Sequence, residues 1–463
     1  MAENLTTAKQ KKALVLAGGG VRLAYHAGAL VALEEANISY DHVDGTSGGI
    51  FGTAMLGSGI PPKEQAARWR KLRLRGFIQV LPPSNYLSQA HMRAFGGSEG
   101  IRKKIFPSLG ISAEAIRANE DLTTTFNVCN FSRKTLETIE GTEITTDHLI
   151  AGMSLAAFSP AIRIGNDWYT DAIWIRDANL TEAVKRGAEE IWLIWCIGNA
   201  TSYLNGLFNQ YVHMIEISAN AGLFQELTLI RDLNATRAAR GETPLTLHIV
   251  KPPYPLPLDP DFFLNRIDAD TLVNMGYAHT KAYLRDGTPF SFADIPTASA
   301  MPDPGLTVHF RQQFSGTVQG EGFKVYLVIR MGFFIRQTED NLPFRFYASV
   351  ETDHSEMASG YDLEVKKQGK GCWECRFLFQ QSGHLREIKL LYRLSGFSVF
   401  QWGLDPKTAQ VTLSEEGIEL AKGLCCQKTS SRLKNRWHLH VSGAQGIAGR
   451  HHKARQLLRR LFI

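Results

Sequence analysis

A serine between glycines is the residue of this chain with the clearest chemical potential. Residues 45–49, Gly-Thr-Ser-Gly-Gly, form the pattern G-x-S-x-G, with a short extended stretch before them and a helix-like run of small residues after them. A tight strand-to-helix turn holds its serine in strained backbone angles, and glycines two positions away prevent collisions there. The pattern predicts a nucleophile elbow in which Ser47 is the nucleophile, flanked by Gly45 and Gly49. The pattern alone leaves open an ordinary glycine-rich turn.

A second glycine-rich segment, residues 18–22, lies between a short apolar run (13–17) and a helix-like segment (23–35). We call it the glycine loop; its residues are Gly18, Gly19, Gly20, Val21 and Arg22. Bare backbone N–H groups in such a loop bind an anion or an oxyanion. A dinucleotide site would need glycine at Leu23, and a P-loop would end in G-K-[ST]. We therefore expect the glycine loop to stabilise the oxygen that becomes negative when Ser47 attacks a carbonyl.

A base is then needed, and Asp171 is the best candidate. It follows a turn-rich stretch and an aromatic pair, Trp168-Tyr169, and it precedes the apolar residues 172–174. An apolar setting disfavours the charged form of a carboxylate and so makes it more basic. Asp171 is therefore expected to accept the serine proton directly.

These three motifs resemble, in order and spacing, the signatures of the patatin-like phospholipases, and the similarity extends over residues of about 12 to 284. That family consists of serine lipid acyl hydrolases with a Ser–Asp dyad and no histidine. The resemblance implies a three-layer α/β/α fold, with Ser47 as nucleophile, Asp171 as base and an oxyanion hole from N–H groups of the glycine loop. The sequence departs from the family at Leu23 and Ala172, where glycine is usual, and both changes put rate and substrate size in question.

Other acids and histidines near the motifs are predicted to be structural. His26 lies inside the first helix-like segment and His42 in the strand before the elbow, so neither is expected to be the base. Asp44 should point away from Ser47, and Asp177 is interpreted as a helix-start residue.

Composition indicates a globular chain of two domains. The 463 residues are 44% hydrophobic and 21% charged, and this length is too great for one typical core. No secretory leader and no apolar run of membrane-spanning length are visible, so the six cysteines are expected to be free thiols. Cys372 and Cys375 have metal-ligand spacing but lie in an alternating, strand-like run, so neither a metal nor a cofactor is expected.

The fold is predicted to be a patatin-like domain of class α/β, with a mostly parallel sheet, over residues 1–295. A proline-containing linker follows at 296–305, and a smaller β-rich, sandwich-like domain occupies 306–463. In one of its strands Trp373, Cys375, Phe377 and Phe379 share a face, which is the alternation of a half-buried antiparallel strand. A loop-rich stretch, 81–110, is a lid, an acyl-chain entrance or a surface excursion.

Charge is concentrated at the end of the chain. Residues 421–463 contain ten Lys or Arg and no Asp or Glu, whereas the whole chain carries +6. The last residues are also predicted to form a basic amphipathic helix, which either contacts an anionic membrane or packs its apolar side on the β-rich domain. Nucleic acid is not an expected partner, because aromatic residues are sparse there. A cytoplasmic protein, with peripheral membrane contact as the alternative, is expected.

The sequence thus predicts an esterase acting on phospholipids, lysophospholipids or other acyl esters through an acyl-serine intermediate. Two alternatives stay open: a weakly active or inactive lipid- or protein-binding module on this fold, and a hydrolase regulated by its β-rich domain.

Overall fold

The structure, a computed structural model, describes most of the chain. The described residues are 11–20, 22–72, 94–197, 203, 205–254, 256, 268–295, 307–336, 344–353, 355, 357–369, 372–393, 408–427 and 440–442. Val21, the predicted linker 296–305, residues 81–93 of the loop-rich stretch and the predicted basic helix after residue 442 lie outside them. The domain boundaries therefore stay a prediction.

An eight-stranded, mostly parallel sheet forms the first domain, as predicted. Its strands are β1 (Lys12–Leu16), β2 (His42–Thr46), β3 (Thr123–Asn130), β4 (Thr135–Glu140), β5 (Ile162–Ile164), β6 (Asp167–Asp171), β7 (Glu190–Ile194) and β8 (Thr246–Val250). The order is β5-β6-β3-β2-β1-β7-β8, with β4 paired to β3. The five adjacent strands β3, β2, β1, β7 and β8 run parallel, whereas β4, β5 and β6 pair antiparallel. The carboxyl ends of β1 and β2 therefore meet at one edge, where ligands bind in open α/β sheets.

Helices cover both faces of this sheet. They are α1 (Ala24–Glu35), α2 (Gly49–Gly57), α3 (Pro62–Lys71), α4 (Phe106–Leu109), α5 (Ala113–Ala118), α6 (Thr146–Gly152), α7 (Leu180–Lys185), α8 (Leu207–Ala239) and α9 (Ala269–Asp286). Strand β1 supplies Leu14 and Leu16 to the core under α1, α2 and α9, and Ala13 and Val15 to the core under α7 and α8. This division of one buried strand between two cores is the three-layer α/β/α arrangement.

A second, antiparallel sheet follows. Its strands are β9 (Thr307–Gly320), β10 (Phe323–Arg336), β11 (Phe344–Thr352), β12 (Ala358–Gly369), β13 (Cys372–Gln381), β14 (His384–Arg393), β15 (Thr408–Glu415), β16 (Ile418–Cys426) and β17 (His440–Ser442). Each strand from β9 to β16 pairs with the next, and β16 pairs back to β9. The β-rich domain is confirmed, but it is a closed eight-stranded barrel in place of the expected sandwich-like pair of sheets. Closure leaves few free strand edges, since only the β17 segment adds to the ring.

The barrel interior is packed with apolar side chains. Trp373, Cys375, Phe377 and Phe379 of β13 are all buried, as their alternation predicts. All six cysteines are free thiols, and the described residues contain no cluster of side chains that could hold a metal. Within the same residues, no helix is long and apolar enough to cross a membrane.

Helix α9 joins the barrel to the first domain. A Cβ at Gly28 of α1 would stand 1.9 Å from the carbonyl oxygen of Val273, and one at Gly276 would stand 1.9 Å from that of Tyr25. Because both positions are glycine, α1 and α9 pack with their backbones in contact. The Tyr25 hydroxyl lies 3.2 Å from Nδ1 of His279 on α9, whose Nε2 lies 2.7 Å from the hydroxyl of Tyr347 in β11.

A buried arginine also links helix α9 to the barrel. Arg70, near the end of α3, donates from Nε to Asp270 at 2.8 Å and from its terminal nitrogens to Asn274, Ser359 and the carbonyl of Met357. Its side chain is 9% exposed and that of Asp270 is 14% exposed. One guanidinium therefore links α3, α9 and the β12 end of the barrel.

Replacing Arg70 with methionine should lower the free energy of unfolding by about 3–5 kcal/mol, because Asp270 would be left buried without its cation. Arg68→Met is the matched control on the same helix, since Arg68 makes an exposed pair with Glu64 and should cost less than about 1 kcal/mol. Denaturant titration of both variants measures the difference. Equal losses would contradict the role given to Arg70.

Candidate active site

Ser47 occupies the strained turn between β2 and α2. Its φ is +51°, a left-handed value that non-glycine residues rarely adopt. A Cβ at Gly49 would stand 1.9 Å from the carbonyl oxygen of Leu16, and one at Gly45 would stand 2.5 Å from the hydroxyl oxygen of Thr53. The two flanking glycines are therefore required by close packing, as expected of a nucleophile elbow.

Asp171 ends strand β6, which pairs antiparallel with β3 so that Asp171 lies opposite Val128. Its Oδ1 accepts the backbone N–H of Ile173 at 2.9 Å, which fixes the carboxylate at the start of a short 3-10 turn. Its Oδ2 accepts the hydroxyl of Ser47 at 2.6 Å. The structure thus brings together the two side chains that the sequence analysis selected. Their roles stay predictions.

Burial makes Asp171 unusually basic. Asp171 is 2% exposed, and the loss of hydration raises the pKa of its carboxyl to about 7. The hydrogen bonds from Ser47 and Ile173 lower this pKa, whereas the nearby Asp177 carboxyl raises it further. A carboxylate with a pKa near neutrality can accept a proton and return it at physiological pH.

The glycine loop presents free backbone donors beside this pair. Gly18 donates its N–H to the carbonyl of Asp177 at 3.3 Å, so it is not a donor for an oxyanion, contrary to its assignment from sequence. The N–H groups of Gly19 and Gly20 have no acceptor in the part of the chain that is described, and Val21 lies outside it. Gly48 at the start of α2 likewise has no acceptor among the described residues, and the sequence analysis did not propose it. The G-x-S-x-G signature could have identified it, since the residue after the nucleophile commonly supplies an oxyanion donor.

Close contacts explain why the loop begins with glycines. A Cβ at Gly18 would stand 2.2 Å from Oδ1 of Asp177 and 3.1 Å from Cβ of Ser47. At Gly19 it would stand 2.5 Å from Sγ of Cys196. The loop therefore lies directly against the nucleophile and a buried acid.

Arg22 places a cation at the edge of the site. It is 7% exposed, and its Nε is buried without a hydrogen-bond partner among the described residues. Its charge lowers the pKa values of Asp177 and Glu216, although burial dominates and raises both to about 7. A buried guanidinium nitrogen without an acceptor is costly, and an anion bound at the site would satisfy it.

The two departures from the family pattern leave the geometry intact. Leu23 is 2% exposed and its side chain packs on Gly48, where a Cβ would lie 2.1 Å from Cδ2 of Leu23. Leu23 therefore turns into the protein behind the elbow. Ala172 does not have a positive φ, so alanine is unstrained in the 3-10 turn after Asp171.

The two nearby histidines have structural surroundings. His26 is buried with its Nε2 at 3.3 Å from Sγ of Cys196, and burial lowers its pKa to about 3. His42 lies 2.8 Å from the hydroxyl of Thr125. Within the described residues neither side chain hydrogen-bonds to Ser47, whose hydroxyl donates to Asp171, in agreement with the expectation that neither is its base.

The structure gives Asp44 and Asp177 different surroundings. Asp44 accepts hydrogen bonds from Thr125 and Asn127 under the sheet. Asp177 was expected to start a helix, but α7 is capped by Asn179, which accepts the N–H of Glu182. The interpretation of Asp177 was wrong because it and Asn179 are both favourable capping types only two positions apart. Asp177 instead lies beneath the glycine loop.

Comparison with known proteins agrees with this geometry. Residues 14–184 match the model of the patatin-like phospholipase family, a shorter stretch than the resemblance inferred from sequence. A segment of 182 residues is 29% identical to "Lysophospholipase NTE1" of Meyerozyma guilliermondii. It covers 38% of this chain and 12% of that protein, so the chain matches only a small part of its relative.

A structural comparison gives a weaker likeness. The crystal structure of VipD from Legionella pneumophila aligns with a TM-score of 0.30 and 11% identity, over 61% of this chain and 68% of that chain. The family match, in contrast, contains the glycine loop, Ser47 and Asp171, and ends before the barrel. Residues 14–184 are therefore the part of the chain that is similar to the patatin-like phospholipase family.

Proposed function

We propose that the chain is a serine hydrolase of lipid acyl esters that works through a Ser47–Asp171 dyad. The observation that carries this proposal is the 2.6 Å hydrogen bond from the Ser47 hydroxyl to a buried Asp171 carboxylate, at a strained elbow. The N–H groups of Gly19, Gly20 and Gly48, which have no acceptor among the described residues, lie on the adjoining backbone. Nucleophile, base and oxyanion donors are the three parts that acyl transfer requires.

The reaction proceeds in two halves. Asp171 accepts the hydroxyl proton while Ser47 Oγ forms a bond to the ester carbonyl carbon, and the carbonyl oxygen becomes negative. The backbone N–H groups stabilise that oxygen. The tetrahedral intermediate collapses by breaking the carbon–oxygen bond to the alcohol, which takes the proton from Asp171. Water then attacks the acyl-serine, with Asp171 again as base, and releases the fatty acid.

The proposal needs no histidine, metal or cofactor, because the chain's own groups handle each proton and charge. An aspartate with an ordinary pKa would be a weak base toward a hydroxyl. Burial raises the pKa of Asp171 to about 7, which supports direct proton transfer from Ser47.

Lipid esters are the substrates that the surroundings favour. Near Asp171, Tyr211 makes edge-to-face contacts with Phe158 at 5.1 Å and with Trp174 at 5.7 Å, which supplies an apolar wall suited to an acyl chain. Arg22 offers a cation with an unsatisfied Nε for an anionic head group. The matched family is one of phospholipases and the matched relative is called a lysophospholipase. Phospholipids and lysophospholipids are therefore the proposed substrate classes, with other acyl esters as the broader class.

Peripheral contact with an anionic membrane through residues 421–463 is also part of the proposal. Its support is the charge of that segment, ten Lys or Arg without Asp or Glu. Electrostatic attraction of this kind acts near the lipid surface and falls with salt. A cytoplasmic, membrane-associated location follows from it.

Ser47→Ala should reduce hydrolysis of a short p-nitrophenyl ester to background, a loss of at least about 10³-fold, because no other group can form the acyl-enzyme. Thermal unfolding checks that the fold is retained. Ser108→Ala, at an exposed serine of α4, is the control and should keep full activity. Full activity in the Ser47 variant would refute the assignment.

Activity should rise with pH through a midpoint near 7, because Asp171 must be ionised to accept the proton and its pKa is raised to about 7. Asp171→Asn should remove this rise and lower kcat/KM by about 10²–10⁴-fold. Initial rates between pH 5 and pH 9 test it. A rise that persists unchanged in the asparagine variant would exclude Asp171 as the base.

Asp171 should also reduce stability at high pH. Its folded pKa, about 7 against an ordinary 3.8, means that the folded state holds the proton more tightly than the unfolded state, so stability is lost as pH rises through this range. Asp171→Asn should therefore gain about 1–3 kcal/mol relative to wild type between pH 4.5 and pH 8. Urea titrations at both pH values measure this. The exposed Asp121→Asn is the control, and a gain of equal size there would contradict the explanation.

A further inference from the structure

A second buried acid, Asp177, lies under the glycine loop and has no part in the mechanism above. The residue is 0% exposed. Its backbone carbonyl accepts the N–H of Gly18 at 3.3 Å, and its Oδ2 accepts the indole N–H of Trp195 at 3.1 Å. Its Oδ1 is buried and has no hydrogen-bond partner among the described residues.

The position of this carboxyl connects it to the nucleophile. A Cβ built on Gly18 would meet Asp177 Oδ1 at 2.2 Å on one side and Ser47 Cβ at 3.1 Å on the other. One glycine backbone therefore separates the acid from the serine. A larger residue at 18 would displace either the acid or the nucleophile, so the packing sets where the glycine loop begins.

A purely structural acid would be expected to have all its oxygen atoms paired. Asp44, another fully buried carboxyl of this domain, shows that pattern, with Thr125 donating to Oδ2 at 2.6 Å and Asn127 to Oδ1 at 2.7 Å. In Asp177, Trp195 donates to Oδ2, and Oδ1 forms no hydrogen bond among the described residues, although the nearby N–H of Gly18 lowers the pKa of this carboxyl. An unsatisfied buried carboxyl oxygen costs stability, and such costs are commonly retained where they serve a site.

We propose that Asp177 is a positioning residue for the reaction at Ser47, and this inference rests on the function proposed above. The carboxyl, held by Trp195, fixes the start of the glycine loop so that the N–H groups of Gly19 and Gly20 face the reacting carbonyl. As a second acid in the same buried volume, it also makes Asp171 a stronger base, because two like charges close together resist ionisation.

Charged and titratable neighbours of the two acids are few. Arg22 approaches Asp177 from the loop and lowers its pKa, and Arg22 also faces Glu216 of α8. Arg176, which precedes Asp177 in the sequence, forms its ion pair with Glu226 at 3.1 Å.

Two uncharged groups complete the surroundings of Asp171. Cys129 faces it from β3 and Tyr211 from α8, and burial raises the pKa of each, so both stay neutral near pH 7. Asp177 is thus the acid through which charge near Asp171 can be changed without touching the reacting groups.

The test is the pH dependence of the rate at which a short-chain alkyl fluorophosphonate labels Ser47. In wild type the rate should rise with a midpoint near 7. Asp177→Asn keeps an oxygen for Trp195 and removes the charge, so the midpoint should move to lower pH. The ratio of the rate at pH 5.5 to that at pH 8 should increase at least about twofold. Exposed Asp121→Asn should leave that ratio unchanged.

A second pair of variants guards against misfolding of the asparagine variant. Trp195→Phe removes the donor to Asp177, so Asp177 stays protonated and neutral to higher pH. Without that negative charge beside it, Asp171 should ionise at lower pH, and the midpoint of Ser47 labelling should again move down. Trp192→Phe is the matched control, because the Trp192 indole donates instead to Glu190 at 2.6 Å. Thermal unfolding of all four variants identifies any that is not folded.

The outcomes separate the two proposals. Suppose that Ser47 is labelled in wild type, but the midpoint in Asp177→Asn and Trp195→Phe equals that of wild type or lies at higher pH. That result would overturn the role of Asp177 and leave the proposed function standing. Absence of Ser47 labelling in wild type at every pH would overturn the proposed function and this inference with it. A downward shift in the Asp177 and Trp195 variants, absent in both controls, supports the inference.

Discussion

The hydrogen bond between Ser47 and Asp171 is the constraint on which the other features of the site depend. The two residues are 124 positions apart in sequence and 2.6 Å apart in space. One lies at the carboxyl end of a parallel strand, and the other ends an antiparallel strand that pairs with β3. To bring these ends together, the chain places glycines where backbones touch. Gly49 lies against the carbonyl of Leu16, and Gly18 lies against Ser47.

Burial of carboxyl groups around this site lowers the stability of the folded state. Asp44, Asp171 and Asp177 are buried carboxyls, and burial raises the pKa of each to about 7. Asp44 is compensated by a polar network in which Thr125 and Asn127 donate to it. Asp171 likewise has a donor for each oxygen, Ser47 and Ile173, whereas Oδ1 of Asp177 has no hydrogen-bond partner among the described residues. An incompletely satisfied polar site within a well-packed domain is a common compromise between stability and reactivity.

Local patterns in the sequence were enough to select Ser47 and Asp171, whose side chains the structure brings together. The apolar run before the glycine loop, the G-x-S-x-G turn and the apolar surroundings of Asp171 are short-range features, and the strands and helices that they predict are present. The alternation in β13 likewise identified the side that faces the barrel interior. Features that depend on distant partners were missed. Closure of the barrel requires β16 to pair with β9, and the role of Asp177 depends on its packing against Gly18 and Trp195. Neither follows from spacing along the chain.

The barrel and the first domain both contact one helix, since α9 packs on α1 through paired glycines and on β11 and β12 through polar contacts. Because α1 begins just after the glycine loop, one helix connects the junction with the barrel to the candidate site.

The most direct test of the Ser47–Asp171 dyad is a crystal structure of the protein inactivated by a fluorophosphonate. The account predicts phosphorus bonded to Ser47 Oγ and a phosphoryl oxygen within about 3 Å of the N–H groups of Gly19, Gly20 or Gly48. An adduct on another residue, or a phosphoryl oxygen turned away from those three groups, would contradict it.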